Sequence, residues 1–109
     1  MRFLIECREM SRKIGIFGTG DDAEKMSREL LDIDGENFYS IEIVFDNDKK
    51  KEGMSFHGIK VVHPGAISNW TGYFVIILTT KFAESIMKQL EGYGLVYKND
   101  FVLSNDLYK

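Results

Sequence analysis

The chain has 109 residues, enough for one domain around one core. Its balance of 44% hydrophobic and 28% charged residues is that of an ordinary soluble globular protein. A formal net charge of −3 speaks against the broad basic face that nucleic-acid binding requires.

The lone cysteine, Cys7, leaves no partner for an internal disulfide and fits a reducing compartment. The longest apolar run, Tyr73 to Leu78, is far short of the roughly 20 residues that cross a bilayer as a helix. Glu6, Arg8 and Glu9 interrupt any apolar core of a signal peptide. A cytoplasmic location is the expectation.

Residues 1–10 place Phe3, Leu4, Cys7 and Met10 at helical spacing, which predicts a short amphipathic helix. It would cover an edge of the domain or make a homodimer contact. Lys13 to Phe17 reads as a buried strand, and Gly18-Thr19-Gly20 as a turn. A helix to about Asp32 follows, with Ala23, Met26, Leu30 and Ile33 on its inner face. Asp34-Gly35 supplies turn chemistry to end it.

Tyr39 to Phe45 is a second strand, with Ile41, Ile43 and Phe45 on one side and Val44 on the other. It stops at Asp46-Asn47-Asp48, ahead of Lys49-Lys50-Lys51. Gly53 and Gly58 bracket a loop containing His57. Ile59 to Val62 is a short third strand, closed by His63-Pro64-Gly65.

Tyr73 to Leu78 is continuously apolar, as in a parallel strand covered on both faces. Thr79 or Thr80 can cap the next helix, whose buried stripe is Phe82, Ile86, Met87 and Leu90 and whose end is marked by Gly92 and Gly94. Asp100 to Leu103 is a fifth strand. Alternating strands and helices predict an α/β domain over residues 1–109, Rossmann-like and three-layered. Its mostly parallel five-stranded sheet is expected in the order 3-2-1-4-5, with a ligand outside the carboxyl ends of the strands.

Gly18-x-Gly20-x-x-Ala23, between a strand and a helix, fits the dinucleotide fingerprint. Gly18 allows a sharp reversal, Gly20 lets a phosphate approach the backbone, and Ala23 allows close helix–strand packing. The amide hydrogens between residues 17 and 21 are expected to converge on one open spot. Asp46 follows Ala23 at close to the ~20-residue spacing at which an acid bonds a ribose 2′-hydroxyl. An acid there would repel a 2′-phosphate, favouring NAD(H) or a UDP-type nucleotide-sugar over NADP.

The candidate ligand-binding residues are therefore Gly18, Thr19, Gly20 and Asp21, then Asp46 and Asn47, then Thr79 and Thr80. Lys49, Lys50 and Lys51 could meet a terminal phosphate or an adenine face, though a solvated loop that balances the neighbouring acids is the favoured reading. Lys81 follows the Tyr73–Leu78 strand with Thr79 and Thr80, where a ribose or a sugar would pass. Asp21 and Asp22 weigh the other way. Two unit charges about 4 Å apart repel by roughly 4 kcal/mol at an effective dielectric near 20. Both acids could instead stabilise the helix start of a domain that has lost its ligand. His57 and His63 lack neighbours at metal-ligand spacing, and no nucleophile–base pair assembles around them.

Ile16-Phe17-Gly18-Thr19-Gly20, Val44-Phe45-Asp46-Asn47-Asp48 and the Gly53 to Val62 segment together carry a resemblance. Over residues 13–103 the chain resembles small Rossmann-like domains of bacterial surface-polysaccharide enzymes. These stand at the N-terminus of nucleotide-sugar dehydratases and sugar acyltransferases, and beside some glycosyl- and methyltransferases. It is similar also to CoA-binding domains and to NAD-sensing repressor domains. The resemblance implies a nucleotide-sugar held by Gly18, Gly20 and Asp46. Because those enzymes carry their chemistry in a second domain, it also implies a binding domain not catalytic by itself, served by a catalytic partner. The competing expectations are a non-catalytic subunit of a nucleotide-sugar-modifying enzyme and an interaction domain without a ligand.

Overall fold

A computed structural model describes residues 12–20, 25, 41–79, 81–104 and 106. The expected helix over residues 1–10, the stripe from Ala23 to Ile33, Asp21, Asp22, Tyr39 and Thr80 lie outside the described residues.

Among the described residues six strands form one sheet: β1 (Lys13–Phe17), β2 (Ile41–Phe45), β3 (Ser55–Phe56), β4 (Ile59–Val62), β5 (Tyr73–Ile77) and β6 (Phe101–Leu103). Their order is β3-β4-β2-β1-β5-β6, and all pairings are parallel except β3 with β4. The order therefore differs from the expected five-strand 3-2-1-4-5. The difference is the added edge strand β3, where a plain loop was expected. His57 (φ 50°) and Gly58 (φ 82°) both have positive φ, as the two central residues of a type I′ hairpin turn do. That turn brings Ser55 opposite Lys60 and Phe56 opposite Ile59. Glycine serves the left-handed backbone at 58, and histidine tolerates it at 57.

A second correction concerns the faces of β2. Ile14 pairs with Ile41, but Gly15 pairs with Ile43, so Glu42 is an extra residue in the ladder. This bulge puts Ile41 on the same side as Val44, in a cluster with Ile14, Ile16, Phe74 and Ile76. Ile43 and Phe45 face the opposite cluster. Glu42 is exposed at the irregularity, so its charge costs the core nothing.

Gly15 lies on the Ile43–Phe45 side of this seam. A Cβ on it would stand 2.7 Å from Phe45 Cε2 and 2.9 Å from Ile43 Cγ2, so only glycine lets those side chains lie over β1.

The helix α1 (Ala83–Gly92) packs Ile86 and Leu90 into the Phe17, Phe45, Val75 and Ile77 cluster, with Ala83 and Met87 partly buried beside them. Phe82 does not join this stripe. It precedes the first helical turn, so the helical spacing that would aim it inward does not apply, and it is 57% exposed. The helix ends in a Schellman motif. The Leu95 amide donates to the Leu90 carbonyl and the Gly94 amide to the Glu91 carbonyl, with Gly94 at φ 94°. Leu95 and Leu90 share the cluster beneath, the apolar contact that accompanies this ending.

Candidate functional site

β1, β2 and β5 end side by side, and their ends are fastened together by backbone hydrogen bonds. The Gly18 amide donates to the Phe45 carbonyl and Leu78 to Phe17, while Asp46 donates to Val62 at the end of β4. A cavity of about 650 Å³ opens at these carboxyl ends. Gly18, Thr19 and Gly20 line it from β1, Asp46 and Asn47 from β2, and Thr79 from β5. Six of the eight residues expected from sequence thus surround one cavity; the other two, Asp21 and Thr80, lie outside the described residues.

Gly18 has φ 114°, a conformation open to glycine, and makes the reversal after β1. Open space lies where a Cβ on Gly20 would stand. The amides of the turn do not all converge on the cavity, contrary to expectation. Besides the Gly18 bond to Phe45, the Thr19 amide donates to Asp46 Oδ2 at 3.2 Å. The Thr19 hydroxyl donates to the same oxygen at 2.5 Å. The parallel register of β1 and β2 sets Phe17 beside Phe45, and so the next residues of each strand meet.

Asp46 Oδ1 accepts the Asp48 amide at 2.8 Å, and Asp48 in turn caps a 3₁₀ turn over Lys49–Lys51 by accepting the Lys50 amide. That turn returns the Lys51 ammonium to 3.8 Å from Asp46 Oδ2. Lys51 lines the cavity, so the lysine run is partly a wall of the site. Asn47 and Gln89 exchange two amide hydrogen bonds of 2.9 Å, which tie the β2 exit to α1.

The far wall is the start of α1, with Lys81, Phe82, Ser85 and Ile86. Its capping position is not held by Thr79, and Thr80 lies outside the described residues. Phe82 occupies the capping position, and its own side chain makes no capping hydrogen bond. The Phe82 ring is exposed beside the cavity, with the Lys81 ammonium 5.4 Å from its centroid. Sequence spacing missed Phe82 and Ser85 because it began the helix too early.

The histidines have structural partners. His63 Nδ1 accepts the Gly65 amide, capping a second 3₁₀ turn, and His57 packs edge-on against Phe56. Among the described residues no three metal-ligating side chains are grouped. Trp70 is buried and stacks on Tyr93, centroids 5.0 Å apart, away from the cavity.

A family model described as C2185-like, N-terminal, matches residues 10–100. The chain belongs to this C2185-like N-terminal family. No curated protein matches it. The matched range takes in every described strand and helix of this C2185-like domain except β6, and both sides of the cavity. Among the described residues no helix is long and apolar enough to cross a membrane.

Proposed function

We propose that this domain is Rossmann-like and binds a nucleotide, NAD(H) or a UDP-type nucleotide-sugar, in the cavity at the carboxyl ends of β1, β2 and β5. The supporting observation is the grouping of the glycine turn with Asp46, Asn47 and Thr79 around one cavity of about 650 Å³. That volume is within the roughly 300–1,000 Å³ of small-molecule sites. The start of α1, where the Phe82 side chain makes no capping bond, and the lysines at 51 and 81 suit an anionic group. Phe82 offers an apolar ring to a base or sugar face. In this reading the domain serves surface-polysaccharide or nucleotide-sugar metabolism by presenting its ligand to a catalytic partner.

Thermal unfolding with NAD(H), UDP-sugars, CoA and AMP tests the proposal. A ligand at 100 times its Kd adds about 2.7 kcal/mol of stability, a plain upward shift of the melting curve. A flat response to all four overturns it. The second reading, an interaction domain without a ligand, is favoured by the Gly18 and Thr19 amides being bonded inside the protein. A flat response together with a co-purifying partner would establish that reading.

A further inference from the structure

At the end of β2, Asp46 is where a nucleotide site would place its ribose acceptor, yet its carboxylate is already engaged. A carboxylate offers about four lone-pair positions. The Thr19 amide and hydroxyl both donate to Oδ2, and the Asp48 amide donates to Oδ1. The Lys51 ammonium stands beside Oδ2 as well. The side chain is only 14% exposed, so these bonds are partly shielded from water. They also form a circuit: Asp46 holds Asp48, Asp48 caps the turn that carries Lys51, and Lys51 returns to Asp46. Thr19 plugs the glycine turn into that circuit with two bonds to one oxygen.

We infer that Asp46 is a positioning residue, whose carboxylate locks the glycine turn to the loop after β2 through Thr19 and does not select the ribose. Discrimination against a 2′-phosphate is correspondingly weak, because the carboxylate faces an ammonium and has one lone-pair position left. The ligand side of this inference rests on the nucleotide reading above; the lock itself does not.

Amide exchange on the ligand-free protein reads the lock directly. The Thr19 amide exchanges about tenfold or more slowly than the Gly20 amide, a ratio expected for a hydrogen bond to a charged acceptor, and Asp46→Ala, which removes the acceptor, abolishes the difference. Titrations with UDP, 2′-deoxy-UDP, AMP and 2′-deoxy-AMP read the consequence. Asp46→Asn and Thr19→Val each weaken ribo and deoxy ligands alike, by about tenfold for one lost charged hydrogen bond, while Thr19→Ser restores binding. A Thr19 amide as fast as Gly20 in the unmodified protein overturns the inference. So does a large ribo-over-deoxy preference that collapses in Asp46→Asn. A slow Thr19 amide with no binding of any nucleotide upholds the lock and defeats the nucleotide reading.

Discussion

Gly18 and Gly20, two residues apart, are glycines for different reasons. Gly18 needs its left-handed backbone, whereas Gly20 has open space around the position of a Cβ and no positive φ. Gly20→Ala should therefore leave stability within about 0.5 kcal/mol, as surface changes do, while weakening any nucleotide that approaches the turn. Urea unfolding and the ligand melts measure the two effects separately. Tyr97 gives a test of another kind. Its hydroxyl donates to Asp106 Oδ2 at 2.7 Å, and this bond to a carboxylate, then burial, then the nearby negative charge push the phenol from 10.0 up to about 12. The folded protein holds that proton more tightly than the unfolded chain. The stabilisation is thus complete below pH 10 and disappears as the pH rises towards 12. Tyr97→Phe should cost about 1.5 kcal/mol at neutral pH, and its deficit should shrink across that alkaline window. Absorbance titration should show one phenol near 12 that the variant lacks.

At the level of elements, both sheet edges are managed locally. β3 is two residues long, and its hairpin depends on the positive φ at His57 and Gly58. Gly58→Ala should cost about 1 kcal/mol, the penalty of a side chain in the left-handed region. Hydrogen exchange should show the loss at Val61, whose amide bonds the Met54 carbonyl, before it reaches β1 or β5. At the other edge, the outward carbonyl of Phe101 accepts the Lys98 amide and the outward amide of Leu103 donates to Asp106. These bonds occupy groups with which another strand would pair, so β6 is poorly suited to adding a strand from a second copy. Asp106 thus serves both the Tyr97 phenol and this edge. The hairpin was hidden in the sequence because Phe56-His57-Gly58-Ile59 lacks an Asn-Gly or Asp-Gly signal.

Across the whole molecule, long-range polar links join parts far apart in sequence. Arg12, just before β1, donates to the Tyr73 carbonyl, the Asn99 carbonyl and Asp100 Oδ1 at 2.7–2.8 Å, and its guanidinium lies 5.5 Å from the Phe74 ring centroid. It therefore clasps the entry of β1 to the entries of β5 and β6. Its side chain is 10% exposed and Asp100 18%, and Arg12 Nε is buried without a partner among the described residues. Arg12→Met should cost about 3 kcal/mol, the low end for breaking a buried pair, because Asp100 still accepts the Val96 amide; the urea midpoint should fall and the slope stay unchanged. At the opposite end, the Asn47–Gln89 amide pair continues to the Tyr93 hydroxyl, and Tyr93 stacks on Trp70. This links the lip of the cavity to the far end of α1.

Sequence by itself determined the parallel strands and α1, because apolar runs and helical spacing report burial directly: Tyr73 to Ile77 is buried almost throughout, and Ile86 and Leu90 point inward. The glycine turn and the acid after β2 were legible for the same local reason, since strand exits and turns carry their own residue signatures. Only the tertiary structure decided what those residues touch. The bulge at Glu42 depends on pairing with β1, and the bonds between Thr19 and Asp46 depend on two strands ending at one level. Phe82 turned outward because a helix begins where backbone and packing allow. Such contacts between distant segments leave no periodic trace along the chain, and here they set the shape and charge of the cavity.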